Sequence, residues 1–407
     1  MISWRVYNLL KTRVLSIFFI FILSITVLWF ICPVIARNFF CDDGHISSNQ
    51  PSDVPPLPTP NGGSQSSNPT QQPTPLYEYY TISENSQDLE LSMHILEVDL
   101  SNPQVIVRPV TSHRTLFGYK FLSEMSEEWQ AEAAINAGFS HSNGLLGGFL
   151  CMGKELLIPA TGNYPAIFIK DKKGFIEDIK TRVWVEGEKV TLENVYFNRY
   201  SQDEGIYIFT NSYGKMNRID KRHLNAVISN KEVQGLIIRH ESYEIPKDGF
   251  LISAIGKEYE QRLNNLVKPG MMLEIKYEVL AGDKKITGYD WGYECGSWII
   301  KDYKIVAPAT DGWVGTLQTR VPRTAVGVKE DGSMVFVVVD GRQKGLSEGL
   351  TLKELGQELL KLGVKDAVNL DGGASSEMII DGKIVNSPSA GRERKLPAGF
   401  IIKTNFN

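Results

Sequence analysis

The residues with the most chemical content lie in 365–378, KDAVNLDGGASSEM. The β-branched and apolar run 364–370 has the length and composition of a buried strand. It ends in Asn369, Leu370, Asp371, Gly372 and Gly373, and then come Ala374, Ser375 and Ser376. Side chains alternate along a strand, so Asn369 and Asp371 share a face. Two glycines let the backbone turn sharply or lie close to a ligand. A carboxylate and an amide beside free N–H groups and two hydroxyls suit an anion or a sugar. The same residues also suit a plain turn, because Asp-Gly occurs seven times in the chain.

Asp371 is not alone. Residues 322–328, PRTAVGV, start a strand that carries Arg323 and Thr324. A turn at Asp331-Gly332 leads into 333–339, which ends in Asp340, Gly341 and Arg342. The spacing then predicts a helix. Thr351 and Glu354 stand at capping-box distance, Leu352, Leu355, Leu359 and Leu362 fall on one face, and Gly363 stops it. Two strands joined through a packed helix usually run parallel, so Asp340 and Asp371 are expected at one sheet edge. Open sheets place ligands at such carboxyl ends. Arg323, beginning the neighbouring antiparallel strand, would join Asp340, Arg342, Asn369 and Asp371 there.

Two carboxylates can divide acid and base work at a glycosidic carbon. An arginine offers a planar fork to a phosphate, and serine hydroxyls with glycine N–H groups can hold phosphate oxygens. Clustered Asp and Asn can instead hold a hard cation such as Ca²⁺ or Mg²⁺. Asn136, in Asn136-Ala137-Gly138-Phe139 after a short strand, reads as a turn residue or a pocket amide. The tail adds Asn386-Ser387-Pro388-Ser389 and Glu393-Arg394 before a last strand at 399–403.

The elements around these residues read as an α+β domain with mixed β-sheets and a few packed helices. Residues 89–100 and 104–110 are β-rich and suggest a hairpin. Residues 118–130 place Phe121, Leu122, Met125 and Trp129 on one helical face. The middle of the chain is a series of short strands with a helix at 257–266. It gives scaffold and no chemistry. Trp291, Tyr293, Trp298, Tyr303 and Trp313 can stack on sugars or fill a core.

Composition sets the boundaries. A net charge of −4 over 407 residues gives no sign of nucleic acid as a partner. Residues 14–36 carry no charge and are long enough to cross a bilayer, with Arg5, Lys11 and Arg13 before them. A cleaved leader is the competing reading. The expected order is a cytoplasmic tail at 1–13, one transmembrane helix at 14–36, a disordered stalk at 37–76 and an extracellular domain at 77–407. The stalk has eight prolines between Pro51 and Pro75. The four cysteines make no disulfide framework, and a bond between Cys151 and Cys295 stays open. The histidines lack zinc spacing.

Taken in order, INAGF at 135–139, PRTAVGV, VVVDGR, the leucine-rich helix, AVNLDGGASS, VNSPS and ER are similar to the phosphodiester glycosidase family. The resemblance spans about 89–403 and is strongest from 322 to 400. It implies hydrolysis of the bond between a sugar's anomeric carbon and phosphate, in an N-acetylglucosamine-1-phosphodiester-like substrate. It implies Asp371, Asp340, Arg323 and Asn369 as the catalytic set, with Asp371 in direct chemistry and Asp340 in support. It implies Asn136, Thr324, Arg342, Gly372, Gly373, Ser375, Ser376 and Arg394 as substrate-binding residues. Ser140, Ala374 and the segment 293–297 depart from the family's pattern, which bears on the substrate more than on the reaction. The competing functions are a non-catalytic cell-wall glycan binder and a metal-dependent phosphodiesterase that cleaves P–O.

Overall fold

The computed structural model describes residues 77–86 and 89–404. The expected tail, anchor and stalk lie outside them. Among the described residues no helix is long and apolar enough to cross a membrane.

Strands dominate the described residues, which hold three α-helices: Leu122–Trp129, Lys257–Leu266 and Leu352–Lys361. The central seven-stranded sheet is ordered Glu78–Asn85, Glu90–Val98, Met334–Val339, Arg323–Lys329, Val364–Asn369, Trp298–Lys301, Lys304–Ile305. The expected mixed sheets are nearly all antiparallel. Only Tyr196–Phe197 pairs in parallel, with Gly205–Thr210, among the described ladders.

Short turns account for much of this. The Arg323–Lys329 and Met334–Val339 strands are joined by a tight hairpin in which Ser333 donates N–H and O–H to the Asp331 carboxylate. The crossover from Met334–Val339 to Val364–Asn369 carries the Leu352–Lys361 helix. Its capping box is formed. Glu354 N–H donates to Thr351 Oγ1 at 3.1 Å and Thr351 N–H to Glu354 Oε2 at 2.9 Å. Such a cap contributes about 1 kcal/mol. Leu352, Leu355 and Leu359 are buried against the sheet.

The two crossover-linked strands are not neighbours. Both pair antiparallel with Arg323–Lys329, one on each side, so they run the same way. Arg323 stands opposite Val339, and Ala325 opposite Asn369. Asp340 and Asp371 therefore leave the sheet at one edge and flank the start of the Arg323 strand, as the topology argument expects.

A second sheet, ordered Lys383–Ile384, Met378–Ile380, Ala133–Asn136, Ala398–Thr404, Val105–Thr111, brings Asn136 to this edge. The 89–110 segment is not a hairpin. Glu90–Val98 joins the seven-stranded sheet, whereas Val105–Thr111 pairs with Ala398–Thr404. A third sheet contains Trp291–Glu294. The three meet at Phe400, whose ring lies 5.5 Å from Phe336, 5.2 Å from Tyr293 and 5.6 Å from Trp291. Trp291 and Tyr293 are thus core. Tyr303 is exposed, while Trp298 and Trp313 are half-buried. Cys151 and Cys295 are separate buried thiols, which closes the question of a bond between them.

Candidate active site

Asp371 sits at the strand end, with its N–H donating to Ala137 O at 3.0 Å and its carbonyl accepting Asn136 Nδ2 at 2.5 Å. Gly373 follows in the left-handed region, φ 63°, and starts a 3-10 turn over Gly373–Ser375. Its N–H donates to Pro322 O at 2.8 Å, which ties the turn to the Arg323 strand. Burial pushes the Asp371 carboxyl up to about 6, against the Ser375 hydroxyl bond and the positive charge of Arg394, which pull it down. The group can therefore exchange a proton near neutral pH.

Asp340 has a different environment. Ser92 Oγ donates to Oδ2 at 3.0 Å and His94 Nε2 lies 3.1 Å from the same oxygen. Asn386 Nδ2 at 3.1 Å and Ser387 N–H at 2.8 Å donate to Oδ1. Tyr79 Oη stands 2.9 Å from His94 Nδ1, which fits His94 as the Nε2–H tautomer. Burial would raise the Asp340 carboxyl, but these donors hold it below the usual range. It is a saturated, ionised anchor for the 386–387 segment. This supports a positioning role and leaves no lone pair for catalysis.

Arg323 differs from the expectation of a phosphate fork. It is buried, and its Nε donates to Leu350 O at 3.0 Å, its Nη2 to Thr319 O at 2.9 Å and Leu317 O at 3.3 Å. Burial and the neighbouring Arg342 charge lower it to about 10. Its role in this geometry is to clamp the 317–319 and 350 backbone.

Asn136 and Thr324 are also turned to the scaffold. Asn136 Oδ1 accepts Thr324 Oγ1 at 2.8 Å and Glu377 N–H at 3.0 Å. Thr324 Oγ1 also reaches Ser376 Oγ at 3.2 Å. These three side chains are buried and lock the turn from beneath. They support the site without lining it.

The groups left for a ligand are Asp371, Ser375, Asn369, Arg342, Arg394 and the Gly372-Gly373 backbone. Asn369 is buried and its Oδ1 has no hydrogen-bond partner. Arg342 is exposed, has φ 61°, and its guanidinium would lie 3.4 Å from a methyl built on Gly373. Among the described residues no group of three or more His, Cys, Asp or Glu side chains converges. Asp340, the second oxygen donor a hard cation would need, is already filled by four donors. Asp340 is thus not free to serve the cation that the sequence allowed.

Three further groups stand near the site, of which the sequence pointed only to Tyr293, as an aromatic for stacking or core. Tyr293 Oη is buried without a partner, within the field of Asp371, and would sit 1.9 Å from a methyl on Gly138. Gly138 is thus required by that ring. His94 and Ser92 hold Asp340 from a strand about 250 residues away, and only their alternation on one strand hinted at it. Glu377 is the third. Burial, then the adjoining Glu393 carboxylate, raises it to about 9, so it is neutral at pH 7.

A β-rich domain with one proton-exchanging carboxylate beside arginines is the class this geometry defines. Residues 223–403 match the model of the phosphodiester glycosidase family, and the chain's resemblance to that family holds. An SPbeta prophage-derived uncharacterized protein of Bacillus subtilis is 37% identical over 99 residues, which cover 24% of this chain and 15% of that one. The N-acetylglucosamine-1-phosphodiester alpha-N-acetylglucosaminidase of Bos taurus is 40% identical over 67 residues, covering 16% and 12%. The match thus spans less than a sixth of either relative's length. A hypothetical protein from Synechocystis shares the fold, with a TM-score of 0.68 at 20% identity, over 81% of this chain and 62% of that one.

Proposed function

We propose that the domain hydrolyses the C1–O bond of a sugar-1-phosphodiester. The observation that carries this is a single proton-exchanging carboxylate, Asp371, beside Arg394 and the Arg342-backed glycine turn. An alkoxide leaving group needs a second carboxyl to protonate it. A phosphate monoester departs without that help, so a site with one free carboxylate suits a phosphodiester better than an ordinary glycoside. In this reading the Asp371 carboxylate takes a proton from a water that attacks C1. The C1–O bond breaks and its electron pair goes to the phosphate oxygen. Arg342 and Arg394 meet the phosphate, and Asn369 Oδ1 accepts a hydroxyl or amide hydrogen of the sugar.

The substrate we propose is N-acetylglucosamine-1-phosphodiester-like, in a cell-wall polymer or exopolysaccharide, met outside the membrane. The apolar run 14–36 and the proline-rich stretch after it support that location. Protease treatment of intact cells checks it, since a domain that resists digestion until lysis is not outside. For the reaction, the full-length protein is incubated with methyl-phospho-N-acetylglucosamine in ¹⁸O-water. Label in the released sugar is the expected result. Label in phosphate would mean P–O cleavage, and binding without release would mean a glycan-binding module.

A further inference from the structure

The run Arg392-Glu393-Arg394-Lys395 splits its charges between two environments. Glu393 turns inward. Its Oε1 accepts Ser123 N–H at 2.8 Å and its Oε2 accepts Ser123 Oγ at 2.8 Å, in the first turn of the Leu122–Trp129 helix. It also adjoins the buried Glu377. Arg392, Arg394 and Lys395 are left exposed, and none makes a hydrogen bond or ion pair with an acid among the described residues. Lys395 lies over the Phe121 ring at 5.4 Å. The nearby helix acids are engaged elsewhere. Glu124 accepts Phe121 N–H at 3.2 Å, and Glu128 pairs with Arg114 and Lys120.

These cations line a basin of about 560 Å³ with Phe121, Ala374 and Ala390, and Glu393, its carboxylate held by Ser123, is also on the wall. That is the size of a small-molecule site. Ala374 belongs to the Asp371 turn, and the Arg342 guanidinium lies near Gly373 of the same turn. Two groups of cations therefore stand close to the reacting carboxylate. The chain as a whole is acidic, at −4, so this concentration does not follow from composition.

A single phosphodiester carries one negative charge, which Arg342 and Arg394 answer beside Asp371 in the reading above. We propose that Arg392 and Lys395, on this basin, form a second anion subsite, which takes another phosphate of the same substrate. The inference rests on the hydrolase reading above for what happens at Asp371. It narrows the substrate class to compounds with two phosphates close together. These are sugar pyrophosphates, as in a nucleoside diphosphate sugar, or repeating sugar-phosphate chains.

The test has two arms on the full-length protein. In the first, kcat/KM is compared for methyl-phospho-N-acetylglucosamine, UDP-N-acetylglucosamine and a synthetic dimer of N-acetylglucosamine 1-phosphate. One two-phosphate substrate is expected to lead by about tenfold or more at low salt, because exposed charge pairs are screened. The pyrophosphate or the dimer leading tells the two sources apart. The lead should collapse toward unity in R392A/K395A. Equal values for all three substrates, or a lead that the double variant keeps, would overturn the proposal. In the second arm, calorimetry measures binding of inorganic pyrophosphate and methyl phosphate without turnover. At least fivefold weaker pyrophosphate binding in R392A/K395A, with methyl phosphate little changed, is expected. An unchanged pyrophosphate affinity would also overturn the subsite. No turnover of any substrate together with a positive binding arm would reject the hydrolase reading and leave the subsite standing.

Discussion

The Asp340 carboxylate accepts the backbone N–H of Ser387 at 2.8 Å, and through it the central sheet holds the loop that leads to Arg394. The same carboxylate reaches His94 and Ser92 on the far side. One buried charge thus ties three distant parts of the chain to the rim.

Asp340→Asn should break that tie. It sets an amide N–H₂ against four donors and leaves some of them unmet, at a cost of about 2–4 kcal/mol. Urea unfolding is expected to show the loss at pH 7. The Asp340 carboxyl titrates below its unfolded value, so its contribution is present above about pH 4 and disappears as pH falls further. The wild type and the variant should converge in stability in acid.

Asp371→Asn should reduce kcat by about 100-fold or more, the usual size of a lost general base. In the wild type, kcat/KM should fall as pH drops through about 6, where the carboxyl takes up its proton. Arg394→Ala should move that limb to higher pH, because the cation favours the ionised form. The raised value also means that ionised Asp371 works against folding. Its favourable contribution is complete below the unfolded carboxyl range and is lost as pH rises through about 6. The inactive Asn variant is therefore expected to melt at or above the wild-type temperature at pH 8.

Glu377→Gln probes the Glu377–Glu393 contact. Glu377 titrates at about 9, so its favourable term is present in full only below the ordinary carboxyl range and is lost as pH rises to 9. Glutamine is neutral throughout. The melting temperature of the wild type should decline relative to the variant between pH 5 and 9, and parallel curves would refute the assignment.

Tyr293→Phe removes a buried hydroxyl that has no partner. Such a group costs desolvation without return, so stability should hold or rise. If Tyr293 completes the sugar pocket beside Asp371, kcat/KM should drop about tenfold. Thermal melts and steady-state rates separate the two effects.

Sequence reasoning reached the rim because its topology depends on short-range signals. The Asp331-Gly332 turn, the Thr351 cap and the leucine face fix the order of strand, helix and strand, and with it the side where Asp340 and Asp371 emerge. What each residue does there was less legible. Arg323 and Asp340 have the types expected of catalysis, yet their partners are Leu350 O, Thr319 O, Ser92 and His94, which no spacing rule connects to them. The same holds for Asn136, whose partners lie near residues 324 and 377. Hydrogen-bond satisfaction depends on tertiary neighbours, and periodicity reports only on the local element. The supposed 89–110 hairpin failed for a related reason. Three residues between two β-rich runs permit a turn, but each run found a better partner far along the chain.

The Ala133–Asn136 strand has Met378–Ile380 on one side and Ala398–Thr404 on the other. Both neighbours are made more than 240 residues later. During synthesis at roughly 5–20 residues per second, this strand waits about 12 seconds or longer with both hydrogen-bonding edges open. Asn136, and through it the Asp371 turn, can be set only when the last strand arrives. The ribosome therefore delivers the scaffold first and a working centre last. A message truncated shortly before residue 398 would yield a chain with most of its apolar core and an open, adhesive edge where its chemistry should be.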